Sequence, residues 1–331
     1  MEKIIAVVVS YNRQQLLSNC ISALRNQTRK LDAILVVNNG STDNTESWLN
    51  DQNDIITITQ NNSGSAGGFN TGIKWAYENG YSWVWCMDDD GYSKENALEK
   101  LLFEDDGTLR LMNCAVLDKD NKSTFVWNTK NYSNHKDVKV DIIHGIGHPF
   151  NGTLLNRKII ERVGLPKAEL FLWGDETEYY YRIINRNKIP VCTVTQSIHY
   201  HPSTRFSIKQ DWDHATAWKM YYYVRNRYPV LQGKFNNKWI SFFSYCCFII
   251  AFAAVILVFQ KTDKIRKIIF MIWPVKDALL ARYAVTPDVV LKKLQKDNSK
   301  KKSTDYKFLL SRFSSHISRF KNSYSTNTIK T

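Results

Sequence analysis

Cysteine is sparse and scattered in this chain of 331 residues. The six cysteines, Cys20, Cys86, Cys114, Cys192, Cys246 and Cys247, include no C-x-x-C pair, and their spacing fits neither a zinc site nor a disulfide framework. Reduced thiols in a cytosolic setting are the expectation. The apolar opening, Ile4 to Val9, is short, lacks a small-residue cleavage site and passes into Ser10-Tyr11-Asn12-Arg13. It reads as a buried first strand rather than a signal peptide. There is no internal repeat, no Walker A pattern and no G-x-G-x-x-G. Acidic residues are scarce in one region: residues 261–331 hold 17 Lys/Arg and 5 Asp/Glu, or +12 of the chain's +14. The body is therefore nearly neutral and carries no nucleic-acid-binding motif, so nucleic acid is not expected as a partner. A basic tail on such a body seeks an anionic surface.

The first hundred residues alternate short apolar runs with helical patterns. Residues 3–9, 33–37, 55–59 and 83–87 read as strands, the first β-branched and continuous as in a strand covered on both faces. Helical stripes lie between them, with Leu16, Leu17, Cys20, Ile21 and Leu24 on one face. Ser41-Thr42-Asp43 can cap a helix over 45–49, and a glycine-rich loop at 61–70 leads into a helix over 71–79. Strands separated by helices imply a doubly wound sheet with ligands at the strands' carboxyl ends. Further on, 109–117 is a candidate strand, 150–160 an apolar stretch, 174–187 a helix, 191–198 a strand and 212–230 an aromatic-rich helix.

Four clusters can carry chemistry. Asp88-Asp89-Asp90 ends an apolar strand, where three adjacent carboxylates repel one another unless a cation is bound. Hard oxygen ligands suit Mn²⁺ or Mg²⁺, and the plain alternative is a solvated acidic turn. The glycines of Asn61–Asn70 allow backbone N–H groups to approach a phosphate, although such loops are commonly structural. At Trp173-Gly174-Asp175-Glu176-Thr177-Glu178 a carboxylate can act as general base, or simply cap a helix. Arg182, two turns on, can steady these carboxylates. His199 and His201 alternate at a strand end, so either can join a metal site.

With these residues in order, the sequence resembles a family 2 glycosyltransferase of GT-A fold. The likeness rests on Val8–Arg13, Val36–Thr45, the Gly64–Asn70 loop, the aspartate triplet and the Trp173–Glu176 corner, and it covers roughly 3–230. The Gly-Gly-Phe-Asn loop, the triplet, the corner and Tyr223-Val224-Arg225-Asn226 most resemble the galactofuranosyltransferase branch. The resemblance implies an α/β, Rossmann-like mixed sheet with helices on both faces. It places Ser10, Asn12, Arg13, Asn38, Asn39, Gly67, Gly68, Asn70, Asp88 and Asp89 about a nucleotide-sugar, with UDP favoured. Asn38 stands where many members have an aspartate that reads the base. Asp88, Asp90 and His201 would hold Mn²⁺ or Mg²⁺; Glu176, with Asp175 beside it, would be the base; Trp173 and His199 would face the acceptor. The implied reaction is an in-line displacement with inversion, moving galactofuranose to a lipid-linked or polymeric cell-surface glycan. The alternatives are a rhamnosyl- or other hexosyltransferase, a nucleotide- or glycan-binding module that kept the fold and lost the chemistry, and, on the basic tail alone, a nucleic-acid-binding protein.

The expected organisation is a catalytic domain over 1–230, with a nucleotide-sugar half (1–105) and an acceptor half (106–230), followed by a helical, basic, membrane-associating region over 231–331. Residues 239–259 carry no charge across 21 positions and are long enough to span a bilayer of about 30 Å of hydrocarbon. A crossing would put the basic tail opposite a cytosolic body, against the positive-inside tendency. An amphipathic pattern at Tyr306–Phe320 suits an anionic lipid surface. Peripheral or re-entrant attachment to the cytoplasmic face is therefore expected over a crossing. The alternatives for 239–259 are a buried core helix or a homo-oligomer interface.

Overall fold

The computed structural model describes residues 2–299 apart from 128, 130 and 204–206. Every residue of β1 (Ile4–Ser10) is buried. Strand alternation sends Ile4, Ala6 and Val8 into one apolar layer and Ile5, Val7 and Val9 into the other. Then follow α1 (Gln14–Arg25), β2 (Ala33–Asn38), α2 (Thr45–Asn50), β3 (Ile55–Thr59), α3 (Gly64–Glu78) and β4 (Trp83–Asp88). The four strands are parallel in the order β3-β2-β1-β4, with the stripe of Leu17, Cys20, Ile21 and Leu24 packed on one face and Phe69, Ile73 and Ala76 on the other.

Beyond β4 come β5 (Tyr92–Ser93), α4 (Ala97–Phe103), β6 (Leu111–Asp118), β7 (Ile142–His144), β8 (Asn151–Asn156), α5 (Arg157–Val163), α6 (Asp175–Tyr181) and β9 (Val191–His201). The apolar stretch at 150–160 is thus two elements, β8 and the start of α5. The sheet continues β4-β8-β6-β9-β5, with β7 alongside β9. β8 runs antiparallel to both neighbours, while β9 is parallel to β6. The result is a mixed α/β sheet with helices on both faces.

Helix α7 (Trp218–Lys234) starts six residues later than the aromatic pattern suggests. It joins two bodies. Asn226 Nδ2 donates to the carbonyls of Leu170, Leu172 and Trp173, each at 2.8 Å, which ties α7 to the loop that enters α6. On its other side Tyr221 donates to Asp277 at 2.6 Å and Tyr222 to the Val285 carbonyl at 2.7 Å. Those partners belong to α9 (Lys264–Leu279) and the segment after it. Between α7 and α9 lies α8 (Lys238–Phe259), the uncharged stretch. It is not a core helix: only Ser241, Tyr245, Phe252 and Ile256 are buried, while Trp239 is 80% and Ile250 71% exposed. Among the described residues it is the one helix long and apolar enough to cross a membrane. A last helix covers 287–299. The pattern at Tyr306–Phe320 lies outside the described residues.

Candidate active site

One sheet edge collects the chemistry. The carboxyl ends of β1, β4 and β9 and the amino end of antiparallel β8 meet there, where strand order reverses between β1 and β4. The register sets Asp88 beside Val9, Asn38 beside Ser10, and Asn151 opposite Met87.

Asp88, Asp90 and His201 offer ligand atoms that all lie within 4.8 Å of one another. His201 Nδ1 is 2.8 Å from the Pro202 carbonyl, a contact that fixes the proton on Nδ1 and leaves Nε2 as the ligating nitrogen. That Nε2 is 3.2 Å from Asp90 Oδ1, a buried oxygen with no hydrogen bond of good geometry. Arg13 Nη1 bridges Asp89 Oδ1 at 3.2 Å and Asp90 Oδ2 at 2.7 Å, and Ser10 Oγ donates to Asp89 Oδ2 at 2.7 Å. Burial alone would raise Asp90, but His201 and Arg13 hold it below the usual carboxylate range. Burial pushes Asp89 up to about 6, with Ser10 and Arg13 opposing. Burial, then the charges of Asp90 and Glu176, raise Asp88 well above the ordinary value. Too few cations face these acids, and an oxygen-rich set with one imidazole fits Mn²⁺ or Mg²⁺.

The acidic corner divides into structural and reactive members. Gly174 adopts a left-handed conformation (φ 105°) and launches α6 with Asp175 and Glu176 in its first turn. Glu178, 1% exposed, is neutralised by Lys167 at 3.1 Å and Arg182 at 3.2 Å. Arg182 therefore serves Glu178 and not its neighbours. Among the described residues no cation pairs with Asp175 or Glu176. Asp175 accepts from Ser65 Oγ at 3.1 Å, and Glu176 Oε1 from Asn151 Nδ2 at 3.4 Å. Burial raises the affinity of both for a proton, and the charge of Asp175 raises Glu176 further. Asp175 is buried, whereas Glu176 is partly exposed.

Several expected donor contacts are placed differently. The stretch at 64–70 is helix rather than loop: α3 begins at Gly64. Gly67 and Gly68 are buried inside it, and a Cβ on Gly68 would lie 2.4 Å from Val9 Cγ1. Gly68 thus lets α3 sit close on β1, while a Cβ on Gly67 would meet Ser63 Oγ at 2.1 Å. Asn70 donates to the Pro166 carbonyl at 2.7 Å. Asn38 and Asn39 are buried, so neither reaches a base: Asn38 Oδ1 accepts from Ser41 N, while Asn39 binds the Gly64 carbonyl and Ser63 N. Asn12 (φ 55°) closes the same loop by accepting from Thr42 N at 2.6 Å. His199 is 0% exposed with Nδ1 2.9 Å from Ser93 Oγ, so it cannot face an acceptor. Trp173 (φ 58°) is half-buried, edge-on to Tyr223 with Lys219 above its ring.

The sequence reading missed Asn151, Ser65 and Trp127. The Trp127 ring lies 5.2 Å from His201 and 5.0 Å from His148, whose buried imidazole is pushed down to about 4 by desolvation. The antiparallel course of β8 carries Asn151 to this edge, and no alternating pattern in Phe150–Asn156 announces it.

Comparisons with known proteins agree with this geometry. Residues 5–164 match the profile of Glycosyl transferase family 2. Galactofuranosyltransferase GlfT1 of Mycolicibacterium smegmatis is 30% identical over 216 residues, covering 61% of this chain and 71% of that protein. The protein of the same name from Mycobacterium tuberculosis is 30% identical over 215 residues, covering 61% and 70%. S. aureus TarS 1-349 in complex with UDP superposes with a TM-score of 0.48 at 13% identity, over 70% of this chain and 65% of that one. On the relatives' identity and coverage, the chain belongs to glycosyl transferase family 2 and is a galactofuranosyltransferase-like protein with a mixed α/β sheet.

Proposed function

We propose that this glycosyltransferase moves a sugar, galactofuranose in the first instance, from a uridine-diphosphate donor to a lipid-linked or polymeric glycan at the membrane surface, with inversion. The observation that carries the reading is Glu176, a carboxylate with no cation partner among the described residues, whose charge acts on Asp88 of the Asp88–Asp90–His201 cluster, with Asp175 beside it in the chain. The names of the relatives support the choice of sugar.

In this reading Glu176 is the base. It has the freer access, and its raised proton affinity suits it to take a proton from an acceptor hydroxyl. As that proton moves to Glu176, the hydroxyl oxygen forms a bond to the anomeric carbon and the bond from that carbon to the diphosphate breaks. Asn151 orients the Glu176 carboxylate, and Ser65 holds Asp175 beside it. Arg13 stands beside the aspartates as a fixed cation for the donor's phosphates. A divalent cation held by Asp88, Asp90 and His201 would supply charge to offset that developing on the leaving diphosphate.

Attachment to the cytoplasmic face through α8 and α9 completes the proposal. A crossing at α8 would place α9 beyond the membrane, yet α9 packs on α7, which is tied to the catalytic body. The test is a panel of nucleotide-sugars offered with Mn²⁺ and a lipid-linked glycan acceptor, with product configuration read by NMR. Consumption of UDP-galactofuranose with an inverted product, lost in Glu176→Gln, is expected. Preference for another sugar would replace the donor assignment, and retention of configuration would overturn the mechanism.

A further inference from the structure

Away from the active site, α9 and the helix over 287–299 wall a cleft of about 570 Å³. Its charge is lopsided: Arg266, Lys276 and Lys293 line it against one carboxylate, Asp297. Phe270 and Trp273 form its apolar part, and Lys293 Nζ sits 3.8 Å from the Trp273 ring centroid. His214 also lines it, 3% exposed, with a buried Nδ1 that has no hydrogen-bond partner among the described residues. Three like charges around one cavity repel each other, and a nearby imidazole without a partner adds a polar group left unsatisfied.

The rim points to the occupant. Ile269 and Ile272 border the cleft and are 59% and 66% exposed; with Ile265 they make an i, i+4, i+7 stripe along α9. That stripe adds to the apolar surface exposed on α8. A ligand matching both features carries an anionic head and an apolar body. The chain's own end is a poor candidate, because residues 300–331 hold eight Lys/Arg and one Asp. An acidic peptide would satisfy the cations but leave the isoleucines in water.

We propose that this cleft binds the phosphate headgroup of an anionic membrane phospholipid. Lys276 and Lys293 meet the phosphate oxygens, Arg266, held by Asn298 Oδ1 and the Asp297 carbonyl, adds its charge to the wall, and the acyl chains lie along Ile269 and Ile272 in the membrane interface. The inference rests on the membrane-surface reading above and deepens it: a diffuse basic surface would respond only to charge density, whereas this cleft recognises a headgroup.

The experiment is flotation of the full chain with vesicles of phosphatidylcholine alone or mixed with phosphatidylglycerol. Lys276→Gln/Lys293→Gln removes two exposed side chains and should leave the fold intact, checked by its melting curve. Lys301→Gln/Lys302→Gln removes the same charge from the tail. The preference for anionic over neutral vesicles should fall about fivefold per cation in the cleft pair, hence about 25-fold, and markedly less in the tail pair. Equal losses in the two pairs would mean generic electrostatics and overturn the cleft. Short-chain phosphatidylglycerol should raise the melting temperature of the wild type but not of the cleft pair, and inorganic phosphate should do neither. Stabilisation by inorganic phosphate alone would assign the cleft to a free anion instead. If neither vesicle retains the wild type, the membrane reading itself falls and takes this inference with it, whereas sugar transfer in solution is a separate measurement.

Discussion

Asn151 Nδ2 lies 3.4 Å from Glu176 Oε1, joining the first residue of an antiparallel strand to the first turn of α6. Donation of this kind favours the ionised carboxylate, against burial and the charge of Asp175, which favour the neutral acid. Asn151→Ala should therefore raise the proton affinity of Glu176 further. The expected loss in kcat/KM is roughly tenfold at neutral pH and should shrink as pH rises past the point where Glu176 ionises. A loss that is the same at every pH would show that Asn151 positions substrate and not the base.

Removing the Glu176 charge should stabilise the protein while ending transfer. A carboxyl whose folded proton affinity exceeds its unfolded one makes its full contribution to stability below the unfolded pKa. That contribution disappears as pH rises toward the folded value. In EDTA, Glu176→Gln should melt above the wild type at pH 8, by on the order of 1–2 kcal/mol, and the gap should close near pH 4. Asp175→Asn is the matching control for catalysis. If Asp175→Asn is inactive and Glu176→Gln still transfers sugar, the two roles are exchanged.

Cation binding has a readout that does not need turnover. Mn²⁺ at about a hundred times its dissociation constant should stabilise the wild type by about 2.7 kcal/mol. Asp90→Asn and His201→Ala should show little of this shift, because each removes one member of a three-residue cluster. EDTA should stop transfer. Full turnover in excess EDTA would remove metal dependence altogether.

The first half of the fold was legible because its strands are short, apolar and parallel, and the inner ones, β1 and β4, are buried on both faces, so that their pattern is continuous. The triplet and the acidic corner were legible because charge after an apolar run is unusual. The pairing of β8 was not: it inserts antiparallel between β4 and β6, and nothing in an isolated six-residue segment reports its partner. Nor could spacing say which acid of the corner is structural, since Lys167 and Arg182 reach Glu178 from different elements. The glycines misled for a simple reason: close helix-to-sheet packing and phosphate approach both require the missing Cβ.

Gly68→Ala separates those two uses. A Cβ there would meet Val9 Cγ1 at 2.4 Å, and β1 has no room to yield between its two buried layers. The expected cost is about 1–3 kcal/mol of stability, with donor affinity of the folded fraction unchanged. A variant that melts normally but binds UDP weakly would return Gly68 to the nucleotide site.

The side of the membrane on which the chain ends can be decided directly. Exposed Trp239, Phe243 and Ile250 give α8 an apolar surface that water does not favour, so the helix is expected in lipid. Its neighbours limit how. Lys267, fully buried at the start of α9, is held by Asp211 at 2.8 Å and by Gln260 at 3.0 Å, which fastens the end of α8 and the start of α9 to the segment before α7. Tyr221 and Asp277 fasten the other end of α9 to α7 itself. Spanning would break both attachments and strand a buried ammonium without its carboxylate, a cost of several kcal/mol. The helix should instead lie in the interface, with residues on either side of it facing the cytosol. A tag at the carboxyl end should then be digested by protease added to sealed inside-out vesicles. Protection there, with digestion only from the opposite face, would show that α8 crosses and that α9 must leave α7 when it does.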